Sequence, residues 1–265
     1  MRIGPVEIGS GHPCRVVAEI SNAHNGDRDR CGRLIDAAKA AGADLVKFQA
    51  YSPDELVALR GDGPAPEPWG GKGWTMRALY EKARTPFEWF PKIAAHCERI
   101  GMPWFSSVFG PESLVLLEGL GCPAYKIAAL DNHQHRLLDS VAATGKPIVV
   151  SALRDNDVRW PPSRLPRQSV LLYCPAGYPA HDVRMPLFLS LECGIAGETS
   201  WLEGVSLHSK DADAVAVAVA RGAKLIEVHF HLRSEPSELE ANVSWDELEL
   251  AAMIDRVRRT EEVLG

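Results

Sequence analysis

The sequence predicts one domain over residues 1–265, a single (β/α)8 TIM barrel. Three observations lead there: eight short apolar runs at near-regular intervals, amphipathic segments between them, and glycines placed just ahead of several runs. The runs span residues 16–20, 45–49, 104–108, 124–128, 147–151, 170–174, 204–208 and 225–229. Their apolarity is continuous rather than alternating, as expected of parallel strands covered on both faces. A doubly wound sheet stops at about five to seven strands, so eight units favour the barrel.

Helical periodicity is clearest over residues 29–41, 86–100, 212–221 and 245–264. Gly42, Gly101, Gly145 and Gly222 each stand where a helix must end in a left-handed residue. Thr85 before Pro86 predicts a capped helix start. Two stretches fit the plan less well. Residues 51–84 form a Gly/Pro-rich insertion, expected to act as a lid or side wall of the barrel mouth. Prolines in residues 154–167 leave little room for a helix.

Hydrophobic residues at 46% and charged residues at 24% are ordinary globular values. A net charge of -6 without a Lys/Arg block excludes sequence-independent nucleic-acid binding. No apolar stretch reaches spanning length, and Asp213 and Arg221 bracket the apolar run 214–220. With Glu7, Ser10 and His12 near the start, no signal peptide is read, and the expectation is a cytoplasmic protein with no membrane partner. The six cysteines, at 14, 31, 97, 122, 174 and 193, form no CxxC pair and are expected to be reduced thiols.

In such a barrel the reacting groups sit at the C-terminal ends of the strands. Polar residues fall there on nearly every strand: Glu19, Lys47, Gln49, Ser107, Lys126, Ser151, Ser206, His208, Glu227 and His229, with Tyr178 just beyond strand six. An ammonium at a barrel centre needs an anion. Lys47 and Lys126, with the hydroxyls of Ser107, Ser151 and Ser206, suit a phosphate or phosphate-plus-carboxylate ligand. The competing reading pairs each lysine with a neighbouring carboxylate for structure alone.

His208 and His229 end consecutive strands and can approach one ion, where a histidine and oxygen sphere suits Mn²⁺, Mg²⁺ or Fe²⁺. His231 is a further candidate ligand, while His24, His133 and His135 look like loop residues without a role. Glu19 reads either as a general base or as the partner neutralising Lys47.

The strings Ala18-Glu19-Ile20-Ser21-Asn22-Ala23-His24-Asn25-Gly26-Asp27 and Ala41-Gly42-Ala43-Asp44-Leu45-Val46-Lys47-Phe48-Gln49 resemble the opening of the N-acetylneuraminate (sialic acid) synthase family. The same order continues through Pro123-Ala124-Tyr125-Lys126-Ile127-Ala128, Thr144-Gly145-Lys146-Pro147-Ile148-Val149-Val150-Ser151 and Ile226-Glu227-Val228-His229-Phe230. The resemblance implies a transferase that joins phosphoenolpyruvate to an aldose such as an N-acetylmannosamine-like sugar. The product would be a 2-keto-3-deoxy sugar acid, formed with phosphate release. It implies that Lys47, Ser107, Lys126, Ser151 and Ser206 bind phosphoenolpyruvate, and that His208 and His229 hold a divalent metal, Mn²⁺ foremost. It further implies Glu19 as a catalytic carboxylate and Gln49, Tyr178 and Glu240 as acceptor contacts, with the insertion as the acceptor-side wall.

Departures fall on the acceptor side more than the phosphate side. Ala129 and Ala176 replace polar residues of the family pattern, Leu207 and Val228 stand beside the two histidines, and Glu240 replaces an aspartate. The chain ends at Gly265, so the family's C-terminal antifreeze-like domain is expected to be absent. A homodimer stays open, because barrel faces can pair by themselves. Two other functions stay open as well: a Schiff-base aldolase using Lys126 or Lys47, and a barrel that binds a phosphorylated metabolite without turnover.

Overall fold

The computed structural model describes residues 1–67, 69–153, 166, 168–181, 183–186, 188 and 202–265. The prolines between residues 154 and 165, and Cys193, lie outside these described residues.

Eight parallel strands close into a barrel: β3 (Arg15–Glu19), β4 (Leu45–Ala50), β5 (Trp104–Val108), β6 (Tyr125–Ile127), β7 (Ile148–Ala152), β8 (Val170–Tyr173), β9 (Leu202–Leu207) and β10 (Leu225–His229). Each pairs with the next in chain order, and β10 returns to β3 with His229 opposite Glu19. The predicted (β/α)8 barrel is therefore the observed fold, with strand ends shifted by at most two residues. Apolar strand residues such as Val17, Val46, Phe105, Ile127, Val149 and Val205 are fully buried and join one core. Burial on both faces is what their unbroken apolarity requires.

Helices α1 (Arg28–Ala40), α4 (Phe90–Ile100), α5 (Pro111–Gly119), α6 (His135–Ala142), α7 (Ala212–Ala220) and α8 (Glu247–Leu264) cover the barrel. Asp27 caps α1, and Asp246 with Glu249 forms a capping box on α8. The four glycines read as helix stops all have positive φ. Thr85 departs from its predicted role. It is buried and meets the Nε2 of His24 at 3.1 Å, while the helical segment after Pro86 begins without a side-chain cap. The buried imidazole outcompetes the helix start for this hydroxyl.

The insertion is not a bare loop. It folds into α2 (Pro53–Arg60), a 3-10 turn (Gly70–Lys72) and α3 (Met76–Ala83). Ser52 and Glu55 cap α2 reciprocally and Thr75 caps α3, signals that the glycine-rich stretch between them obscures. An unpredicted hairpin, β1 (Arg2–Ile3) with β2 (Val6–Glu7), buries Ile3 and Ile8 in the main core. At the strand starts Asp44 binds Arg15 at 3.0 Å and Arg258 at 2.8 Å, tying β3, β4 and α8 together. The opposite end, where strands finish, is left to the site.

Candidate active site

Strand register brings the predicted residues together. Glu19 lies opposite Lys47, Gln49 opposite Ser107, Ser107 opposite Lys126, and Glu227 opposite Ser206. Lys47 donates to Ser107 Oγ at 3.1 Å and forms a close ion pair with Glu19. The Oε1 of Glu227 lies 3.7 Å from Lys47 Nζ and 3.8 Å from Lys126 Nζ, and accepts from Ser206 Oγ at 2.8 Å. Two buried ammonium groups thus face two buried carboxylates, and the pairing of lysine with carboxylate left open by the sequence is realised.

The pairing is unequal. Burial works against the charge of Lys47, but Glu19 and Glu227 outweigh it and hold the pKa above its ordinary value. For Lys126 burial wins, and its pKa is lowered despite Glu227. Glu227 itself is held at about 2: burial opposes ionisation, and Lys126 and Lys47 overcome it. Ser151 is buried, and among the described residues its hydroxyl finds no hydrogen-bond partner. Its carbonyl is held by Asn132 Nδ2 at 3.0 Å. A buried hydroxyl of this kind has donor and acceptor capacity to offer a ligand.

The second half of the site is aromatic. His208, one residue past β9, and His229, at the end of β10, have ring centroids 5.2 Å apart. Tyr178 packs on both rings at 4.9 and 5.7 Å. Its hydroxyl donates to Glu240 at 2.6 Å, and the other Glu240 oxygen meets His229 Nδ1 at 3.2 Å. Glu240 is held at about 2, because His229 and the Tyr178 bond outweigh its burial. His229 is correspondingly raised: burial disfavours its charge but Glu240 more than compensates. His208 is pushed down to about 3 by burial and then by His229, which keeps it neutral. The thiol of Cys174 lies 3.8 Å from His208 Nδ1 and is pushed up to about 11 by burial.

A neutral imidazole beside one whose Nδ1 is fixed by a carboxylate is a donor pair suited to a divalent ion. Among the described residues no group of three His, Cys, Asp or Glu side chains could hold one, so the remaining donors would be oxygens of substrate or water. His231 is engaged elsewhere: its Nδ1 accepts from Ser237 N at 3.3 Å. His24 does lie in the turn between β3 and α1, but it is buried there, lodged against Trp89 and accepting from Gly26 N at 3.0 Å.

Gln49 donates to Glu19 at 3.2 Å and to Ser21 at 3.1 Å, so it orients Glu19 rather than standing free. Glu227 has no assigned role in the sequence, yet it joins both lysines. The signal was its place two residues before His229, on the same strand face. Trp69 of the insertion, also unassigned, packs against Tyr178 with centroids 5.6 Å apart.

A closed barrel whose strand ends gather two lysines, two histidines and their carboxylates is an enzyme scaffold. Residues 34–265 match the model of the NeuB family, and the chain belongs to that family. It is 33% identical over 261 residues to the pseudaminic acid synthase of Campylobacter jejuni, covering 94% of this chain and 74% of that protein. It is 30% identical to the spore coat polysaccharide biosynthesis protein SpsE of Bacillus subtilis, with 97% and 70% covered. The fold superimposes on the N-acetylneuraminic acid synthetase of Leptospira borgpetersenii with a TM-score of 0.82 at 23% identity, covering 100% of this chain and 90% of that one. The chain is thus a synthase-type transferase of sialic-acid-synthase-like kind. Among the described residues no helix is long and apolar enough to cross a membrane.

Proposed function

We propose that this enzyme joins phosphoenolpyruvate to the aldehyde carbon of an aldose, releasing phosphate and forming a 2-keto-3-deoxy sugar acid. One observation carries the reading. Two ammonium groups and two imidazoles gather at the strand ends of one barrel, and among the described residues the buried Ser151 hydroxyl has no hydrogen-bond partner.

Lys47, Lys126, Ser107, Ser151 and Ser206 would hold the phosphate and carboxylate of the donor, with Glu227 near both ammonium groups to position them. His208 and His229 would hold a divalent metal, Mn²⁺ foremost, which when bound supplies Lewis acidity to the acceptor carbonyl. Glu240 fixes the His229 ring so that Nε2 faces the mouth near Tyr178. In the overall step the enol carbon bonds to the aldehyde carbon and the aldehyde oxygen gains a proton. Water adds at the carbon bearing phosphate, and the carbon–oxygen bond to phosphate breaks. Glu19, steadied by Ser21 N at 2.9 Å and by Gln49, would take the proton from that water. A synthase named for pseudaminic acid among its relatives supports an amino-sugar acceptor.

The test is phosphate release from phosphoenolpyruvate with Mn²⁺ and a panel of aldoses. Turnover abolished by a chelator and restored by Mn²⁺ is expected, and no turnover with any aldehyde would overturn the proposal. One observation favours a second reading. The lowered pKa of Lys126 suits a Schiff-base nucleophile. Borohydride trapping of pyruvate on Lys126, together with indifference to chelators, would select it.

A further inference from the structure

Trp69 has no part in the chemistry above, yet the fold goes to some length to place it. Its backbone N–H bonds to Pro66 O at 2.9 Å, and its indole Nε1 donates to Leu239 O at 3.2 Å. The 3-10 turn that follows needs glycine at position 70, where a Cβ would lie 2.4 Å from Ala65 O. Ala65, Leu79 and Leu239 form a small buried cluster beneath it, against which Trp69, Trp74 and Met76 pack. Leu239 adjoins Glu240, the carboxylate bonded to Tyr178 and His229. The insertion is therefore clamped to the same short loop that orients His229.

The result is a run of rings leading out of the site. Tyr178 packs against His208, His229 and Trp69, with centroids 4.9, 5.7 and 5.6 Å away. Trp69 and Tyr178 are only half-buried, and the small neighbours Ala176 and Gly177 are exposed. With the indole N–H already spent, what Trp69 offers a ligand is its ring face. The charged groups nearby are poorly arranged for an anion. Glu67 lies beside Gly70 and Gly71, Glu240 sits under Tyr178, Lys72 Nζ lies 4.8 Å from the Trp74 ring, and Lys82 is paired with Glu238 at 2.7 Å.

We propose that Trp69 is an acceptor-specificity residue, its indole face packing on the C–H or N-acyl methyl surface of a neutral amino sugar whose aldehyde end lies at His208 and His229. Aromatic faces bind such surfaces by apolar contact and by the negative π-cloud facing polarised C–H groups. This rests on the acceptor approaching from the imidazole side, as set out under Proposed function.

The experiment compares Trp69→Ala, Trp69→Phe and Leu79→Ala, the last disturbing the same cluster without touching Tyr178. For the aldose best converted by the parent enzyme, Trp69→Ala should raise the acceptor KM about tenfold while the KM for phosphoenolpyruvate and kcat change less than about twofold, and Trp69→Phe should recover most of the loss. An unchanged acceptor KM, or an equal rise in Leu79→Ala, would overturn the assignment. A second arm needs no turnover. N-acetylmannosamine, compared with mannose, is titrated against Mn²⁺-loaded protein while indole emission is followed. A change with N-acetylmannosamine in the parent that is lost in Trp69→Phe supports the proposal, and no change in the parent overturns it. Phosphoenolpyruvate binding, read separately by thermal shift, reports on the function itself, so the two failures are distinguishable.

Discussion

Replacing Ser151 by alanine should leave the protein as stable as the parent, or more so, while crippling donor binding. Ser151 is 1% exposed and among the described residues its hydroxyl meets no partner, so it counts there as an unsatisfied polar atom. Such an atom costs about 1–3 kcal/mol. Deleting it should therefore raise the melting temperature, by about 2–4 °C for each kcal/mol recovered in a chain of this size. In the complex the same hydroxyl would donate to an anionic oxygen, a bond of about 1.5–3 kcal/mol. Its loss should weaken phosphoenolpyruvate by roughly 10- to 150-fold. Ser113→Ala is the counterpart. Its hydroxyl accepts from Phe109 N at 3.2 Å and Gly110 N at 3.1 Å and lies 3.2 Å from Glu55, so its removal should cost about 1–3 kcal/mol and leave donor binding alone. Thermal melts and calorimetric titration with phosphoenolpyruvate measure both quantities. A Ser151→Ala protein that melts as low as Ser113→Ala, or binds the donor within twofold of the parent, would refute the reasoning.

Further outcomes follow from other contacts. At Gly204 an added Cβ would lie 2.0 Å from Leu225 O and 2.9 Å from Leu172 Cδ2, so Gly204→Ala should cost about 3 kcal/mol in urea melts by prising β9 from β10. Asp131→Asn breaks a two-bond clamp on Arg60, at 2.9 and 2.6 Å, that ties α2 to the loop after β6. About 2 kcal/mol should be lost, below the fully buried range because Arg60 is 23% exposed, and stability unchanged within error would show the clamp to be inert. Burial and then Arg30 push His24 down to about 4 from its ordinary 6.5, so the unfolded chain takes up this proton first as pH falls. Its contribution is complete above pH 6.5 and declines toward pH 4, by at most about 1.4 kcal/mol per unit. The stability gap between the parent and His24→Asn should accordingly narrow between pH 7 and pH 5, and an equal gap at both would contradict this.

Local pattern reports period and burial, and the barrel depends on little else. The runs at 104–108 and 225–229 became β5 and β10 without adjustment, because short segments opening on large apolar residues between turn signals are held in the sheet by burial, their few polar members falling from mid-strand onward. The glycine stops at 42, 101, 145 and 222 were legible for a similar reason: a helix end imposes its own backbone angle. Lysines and histidines at strand ends stood out as residues that a core does not tolerate without purpose.

What the sequence could not say is which of those groups touch. His229 lies opposite Glu19 only because β10 closes onto β3, across 210 positions of chain. The same closure sets Glu227 between Lys47 and Lys126, and the folding of the insertion over residue 239 carries Trp69 to Tyr178. Contact distances of this kind are set by the curvature and register of the whole barrel, a global property to which no single segment contributes a readable share.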